Sequence, residues 1–247
     1  QDVGRAVRDS GIPRSEIFVI TKVWNTAHGY KEALAAGSLS NDLLGLGYID
    51  LLLIHSPLGP FLGSMGARIV ETYDALVELK RLGVVKSIGV SNFGVQHLKA
   101  LADMCRPTPA VNQFELHPLV WQTRKDTVKY CEDHGILVQA YGSVFSGHQD
   151  LLAQVSSVGV KYGKTAQQVL LRWALDKGFQ VIPKSTHTLW LQDNMDVFDF
   201  ALSPSDTQTL DTLKGSPWSS HADGNLVDYW NPLTAPVDIG FTTSSCT

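Results

Sequence analysis

No stretch of this chain is apolar for long enough to cross a bilayer, and no charged-then-apolar leader opens it. An excess of either charge is also missing. Twenty Lys and Arg against 24 Asp and Glu leave a formal net charge of -4, which gives no electrostatic reason to expect nucleic acid or an anionic membrane as partner. Any anion site must therefore be local. Cysteine is scarce: Cys105, Cys131 and Cys246 are widely spaced and fit no disulfide or metal pattern, so the expectation is reduced thiols in a cytoplasmic protein with no metal site. A Gly-x-Gly-x-x-Gly turn of the Rossmann kind is absent. An initiator Met is lacking too, since the chain begins Gln1-Asp2-Val3 in what reads as the interior of a helix.

What is present is 247 residues, 44% hydrophobic and 18% charged, enough for one globular domain with a substantial core. Six short apolar runs each finish on a polar residue with chemical capability. Ile17–Thr21 leads to Lys22, Ile49–Ile54 to His55, and Ser87–Val90 to Ser91 and Asn92. Ala110–Asn112 leads to Gln113, Ile136–Ala140 to Tyr141, and Val181–Pro183 to Lys184. Segments of helical periodicity separate them, among them 30–46, 70–82, 95–104 and 123–134. Strands alternating with helices imply parallel βαβ units, and a parallel sheet places all carboxyl ends of its strands on one edge. The six polar residues are therefore expected to share one rim.

Two helix starts are explicit. Thr165 with Gln168 is a capping box, and Ser203-Pro204-Ser205-Asp206 joins a Ser cap, a first-turn Pro and an acidic third position. The Gly- and Pro-rich stretch 57–68 reads as a mobile loop suited to a substrate lid. Residues 1–215 read as an α/β barrel and 216–247 as an aperiodic tail, with Trp218, Tyr229 and Trp230 able to fold over the barrel mouth and disorder expected at 241–247. Six strand–helix units are counted after the first helix. A closed eight-unit barrel would need further units ahead of Gln1.

Each rim residue has a structural and a functional reading. Lys22 is either a snorkelling charge or a cation held beside reacting groups. His55 is either a satisfied strand-end residue or, at the mouth of a parallel barrel, a group in catalytic position. Asn92 and Gln113 either cap their own strands or hold a neutral planar ligand such as a carboxamide. Tyr141 offers a flat face for stacking a ring. Lys184-Ser185-Thr186, ahead of a helix near residues 189–197, suits a phosphate. Amides, an aromatic and a cation together suggest a nicotinamide dinucleotide bound without a Rossmann fold.

These stretches resemble the aldo-keto reductase family. The resemblance is carried, in order, by Phe18-Val19-Ile20-Thr21-Lys22-Val23-Trp24, by Tyr48 to Pro57 (YIDLLLIHSP), by Ile88-Gly89-Val90-Ser91-Asn92-Phe93, by Val111 to Pro118 (VNQFELHP) and by Ile182-Pro183-Lys184-Ser185. It implies a (β/α)8 TIM barrel, here from its third strand to its eighth, and NADPH-dependent reduction of an aldehyde or ketone, with NADH as a possible alternative cofactor. It also implies that Lys22 and His55 are catalytic, and that Trp24 and His55 line the substrate pocket. Ser91, Asn92 and Gln113 would hold the carboxamide and Tyr141 would stack on the nicotinamide. Lys184, Ser185 and Thr186 would contact the 2′-phosphate region, with Asp193 and Asn194 near the adenine. The expected partner is a small carbonyl compound.

Departures from the family pattern matter. The family's catalytic Asp and Tyr precede the first helix, so the expectation is an N-terminally truncated reductase without its general acid. An Arg common in the family is Trp190 here, and the family's Tyr-Ser-Pro-Leu-Gly reads Tyr141-Gly142-Ser143-Val144-Phe145. The alternatives are a non-catalytic barrel that at most binds nucleotide, and an aldolase-type barrel with Lys22 as Schiff-base nucleophile.

Overall fold

A computed structural model describes residues 1–59 and 68–213. The expected tail, including Trp218, Tyr229 and Trp230, and most of the expected lid lie outside the described residues. Six strands occur in the order of the chain: β1 (Ile20–Val23), β2 (Ile49–Ile54), β3 (Val85–Ser91), β4 (Val111–Glu115), β5 (Leu137–Tyr141) and β6 (Gln180–Val181). Helices intervene: α1 (Asp2–Asp9), α2 (Tyr30–Leu44), α3 (Ile69–Arg81), α4 (Val95–Asp103), α5 (Trp121–Asp133), α6 (Gln149–Tyr162), α7 (Ala166–Asp176), α8 (Thr188–Met195) and α9 (Pro204–Asp211). Strand followed by helix, with parallel pairing throughout β1–β2–β3 and β5–β6, is the repeating unit of the (β/α)8 barrel. Among the described residues no helix is long and apolar enough to cross a membrane.

The described residues form two compact units, the first of Gln1–Asn112 with His134–Ile136, the second of Gln113–Asp133 with residues 137–213. In the first unit β2 is the organising strand. It is buried almost throughout because both of its faces are covered. Leu51 and Leu53 pack with Ile20 and Val111 on one face. Leu52 points the other way, toward the helices: a methyl added to Gly37 of α2 would come within 3.2 Å of Leu52 and 2.3 Å of Leu79 on α3. Alternation with period two then fixes the orientation of everything else on these strands.

The observed β1 begins later than the apolar run at Ile17 suggests. Asp50 explains the difference. Its carboxylate accepts from the Val19 amide at 2.8 Å and from Arg14 Nη2 at 2.7 Å, so the Val19 amide goes to a side chain, while its carbonyl still accepts from the Leu51 amide at 3.2 Å. The predicted β6 also shortens to two residues, since Pro183 has no amide hydrogen to extend the pairing. Both predicted caps form: Thr165 Oγ1 accepts from the Gln168 amide, and Ser203 Oγ from the Asp206 amide. Helix α6 is absent from the sequence reading. The expectation of three free thiols is also corrected, because Cys131 is a buried thiol whereas Cys105 is disulfide-bonded.

Gly89 on β3 sits where the backbone of β4 approaches closely. A Cβ there would sit 2.6 Å from the Val111 carbonyl oxygen and 2.8 Å from Leu53 Cδ2. Backbone cannot retreat as a side-chain tip can. Gly89→Ala should therefore destabilise the protein by about 1–3 kcal/mol, the usual range for overpacking, seen as a lower urea midpoint with unchanged slope.

Candidate active site

In the first unit the strand ends bring Lys22, Trp24, His55, Ser91 and Asn92 into one neighbourhood. Lys22 is opposite Leu53 in the β1–β2 register, and the pairing continues as the His55 amide donates to the Val23 carbonyl at 3.0 Å. Lys22 and Trp24 share the parity of Ile20, and His55 that of Leu51 and Leu53, so the three project from the apolar inner face. The Trp24 and His55 rings lie 4.4 Å apart, tilted by 32°. Asn92 takes a left-handed backbone conformation (φ 61°) directly after β3. Its Nδ2 donates to the His55 carbonyl at 2.9 Å and to Ser91 Oγ at 3.2 Å.

A brace that the sequence reading missed sits beneath this turn. Asn112 accepts from the Phe93 amide at 3.4 Å and donates to the Phe93 carbonyl at 2.8 Å, so one fully buried side chain closes both backbone groups of the residue after Asn92. Its only sequence signal is an amide inside an otherwise apolar run.

The electrostatics of this group follow from burial. Desolvation lowers the Lys22 pKa from its ordinary value, since the ammonium is half removed from water. Among the described residues Lys22 has no ion-pair partner. The His55 pKa is lowered first by burial and then by the positive charge of Lys22. His55 Nδ1 is buried without a hydrogen-bond partner among the described residues. The group therefore pairs a cation under pressure to lose its proton with an imidazole held neutral. A neutral imidazole donates through one nitrogen, and a nearby cation stabilises negative charge that develops on an oxygen.

In the second unit a cavity of about 630 Å3 opens between the β5 and β6 ends and helix α8. Six of the expected cofactor residues line it: Tyr141, Lys184, Ser185, Thr186, Asp193 and Asn194. Gln113 is not among them. It lies buried, where its Nε2 donates to Gln139, and Gln139 Nε2 in turn donates to Gln180 Oε1 at 2.7 Å. This three-glutamine chain across β4, β5 and β6 puts Gln113 in a fixed orientation. Gln139, a lone amide inside Leu137–Tyr141, was the available signal and was not read.

Behind Tyr141 lies a charged cluster. Glu115 Oε1 is 3.1 Å from Nε2 of the fully buried His117, and Arg124 is buried close by. Burial pushes the Tyr141 phenol well above its ordinary pKa, the Glu115 charge adds to that shift, and Arg124 opposes it. Tyr141 is thus a neutral ring and a poor acid. Lys184 is exposed, while Ser185 Oγ accepts from the His187 amide at 3.0 Å and orders the approach to α8. His187 and Trp190, which the site reading left out, also line the cavity.

Parallel strand–helix units following one another along the chain are the architecture of the α/β-barrel class. The sequence profile of the Aldo/keto reductase family matches residues 1–214, and the chain belongs to that family. It is 40% identical over 214 residues to a 9,11-endoperoxide prostaglandin H2 reductase of Trypanosoma cruzi, covering 85% of this chain and 72% of the relative. An aldo-keto reductase of Mycobacterium sp. (strain KMS) is 40% identical over 216 residues, with coverages of 87% and 75%. Among solved structures, the aldo-keto reductase MGS-M4 from a Medee basin deep-sea metagenome library superposes with a TM-score of 0.77 at 40% identity, over 86% of this chain and 77% of that one. A mutant of Gox0644 in complex with NADPH gives 0.77 at 36% identity, with coverages of 95% and 79%. A Bombyx mori aldo-keto reductase in complex with NADP gives 0.75 at 30%, with 88% and 78%. The family is one of oxidoreductases.

The opposition between Lys22 and His55 can be measured. Removing the Lys22 charge removes one of the two causes that disfavour the imidazolium, so Lys22→Met should raise the His55 pKa toward the ordinary imidazole value. The check is the pH titration of the His55 ring resonances in both proteins. No upward movement would show that burial alone sets the value.

Proposed function

We propose that the chain serves NAD(P)H-dependent reduction of an aldehyde or ketone to an alcohol. The observation that carries the reading is the pairing of a half-buried Lys22 with a neutral His55 beside the exposed ring of Trp24, at the ends of adjacent strands. NADPH is the expected cofactor. The second-unit cavity lies within the usual volume range for small-molecule sites and offers a cation, hydroxyls, an aromatic face and polar side chains, a donor set that suits a nucleotide phosphate and an adenine.

In this reading Lys184, Ser185 and Thr186 hold the phosphate region, and Asp193 and Asn194 contact the adenine. Tyr141 supplies the stacking face, and Ser91, Asn92 and Gln113 hold the carboxamide. When bound, the reduced nicotinamide supplies a hydride to the carbonyl carbon. His55 donates a hydrogen bond that orients the carbonyl oxygen, and Lys22 stabilises the negative charge that grows there. Trp24 limits water and presents an apolar wall to the substrate. Tyr141 and Tyr73 are unsuited to protonate the product, because burial raises both phenols. In this reading the alkoxide therefore takes its proton from the Lys22 ammonium, which burial presses to release it and which water then reprotonates. A cytoplasmic setting fits a soluble NADPH-dependent reductase, although the bonded Cys105 removes the thiol argument for it.

One observation favours a second reading, nucleotide binding without turnover: among the described residues, no carboxylate pairs with Lys22 and no tyrosine is activated as an acid. Disappearance of NADPH absorbance with a simple aldehyde separates the two. Turnover in the native protein, cut roughly a hundredfold in Lys22→Met with NADPH binding retained, is the outcome expected of the reductase. Binding without any turnover would leave the second reading.

A further inference from the structure

The wall of the second-unit cavity at α8 is aromatic where a nucleotide's charged end would lie. The His187 and Trp190 rings are in contact, with centroids 4.1 Å apart and planes tilted by 53°. Both line the cavity together with Lys184, Ser185, Thr186, Asp193 and Asn194. One helical turn separates positions 187, 190 and 194, so His187, Trp190 and Asn194 fall along one stripe of the helix start and body. Trp190 is nonetheless 58% exposed. The fold leaves a large flat ring facing open space beside a polar cavity instead of burying it in the core.

The charge inventory of the same wall is thin. Lys184 is the one permanent cation among the lining residues, and Asp193 is the one acid. A lysine meets phosphate as a rotatable point charge and lacks the paired donors of a guanidinium fork. An added phosphate therefore gains one charge contact here, whereas an adenine ring gains a stacking face that is indifferent to what the ribose carries.

We infer that Trp190, backed by His187, is the specificity-determining residue of the nucleotide site, and that it makes the site tolerant of both NADPH and NADH by binding the shared adenine. The inference rests on the nucleotide reading above and deepens it. Lys184 supplies the residual preference for the 2′-phosphate. Trp190 replaces phosphate recognition with base recognition.

The test is calorimetric titration of the full chain with NADPH and with NADH, for the native protein and for Trp190→Ala, Trp190→Arg and Lys184→Met. Far-UV circular dichroism checks each fold, and the exposure of Trp190 makes its variants tolerable. The native protein should bind the two nucleotides with dissociation constants within about tenfold of each other. Trp190→Ala should weaken both in parallel by about tenfold, the usual scale for losing one base–aromatic stack. Trp190→Arg should weaken NADH while sparing or improving NADPH, so the gap widens by about tenfold or more. Lys184→Met should weaken NADPH alone.

A native preference for NADPH above about a hundredfold overturns the inference. So does a Trp190→Ala variant that loses only NADPH or neither nucleotide, and in both cases the nucleotide reading survives. Failure of the native protein to bind either nucleotide removes the nucleotide reading and this inference with it.

Discussion

The parallel pairing of β1 with β2 is the constraint on which the first unit depends. Its register sets Lys22 against Leu53 and brings His55 into line after Val23. A slip of one residue would turn Lys22 toward the helices and Thr21 toward the inner face, because side chains alternate with period two. Such a slip is opposed on both sides at once. Leu51 and Leu53 have apolar partners on the inner face, and Leu52 is packed against α2 and α3 on the outer one. Burial of both faces of β2 therefore does more than stabilise the fold. It fixes which chemistry the strand ends present.

The strand ends pay for that placement electrostatically. A lysine at the end of an apolar strand loses water without gaining an anion among the described residues, and its charge then bears on His55. Ordinary structural lysines avoid this state by snorkelling or pairing, as Lys164 does between Asp196 and Asp199 and Lys177 does with Asp211. The contrast inside one chain separates the two kinds of lysine. Where pairing is complete the residue is a fastener, and where burial acts unopposed the charge is available to something that comes and goes.

Much of this was legible in the sequence where one physical rule acted alone. The continuous apolar run at Ile49–Ile54 is a doubly covered strand, and the caps at Thr165 and Ser203 follow from side-chain oxygens at helix starts. The rest was hidden where two rules compete. Helix α6 carries its buried residues at 151, 152, 155, 158 and 159, a clear helical stripe. Its Ser156-Ser157 pair, its β-branched valines and Gly159 argue the other way on propensity. Gly159 is there for contact: a Cβ would lie 2.4 Å from the Lys164 carbonyl oxygen. The start of β1 was blurred because Asp50, distant in sequence, takes the Val19 amide. Of the site, the strand-end residues could be read one at a time, but the amides behind them could not. Asn112 and Gln139 act through partners 19 and 26 residues away, and only the folded chain makes those neighbours.

The two units divide the chemistry in a way that composition does not reveal. In the first unit, Lys22 is a half-buried cation without an ion-pair partner among the described residues, and it bears on His55. Several of the second unit's polar groups are held by the protein itself: Gln113 by Gln139, Glu115 by His117, Ser185 by the backbone of His187. Satisfied amides and hydroxyls do not drive reactions, but they hold a cavity wall in one shape before a ligand arrives, so less ordering is lost on binding. Trp190 on that wall is a ring with much of its surface uncovered. An uncovered ring on such a wall is a surface that the protein leaves open to contact, beside the likewise exposed Lys184.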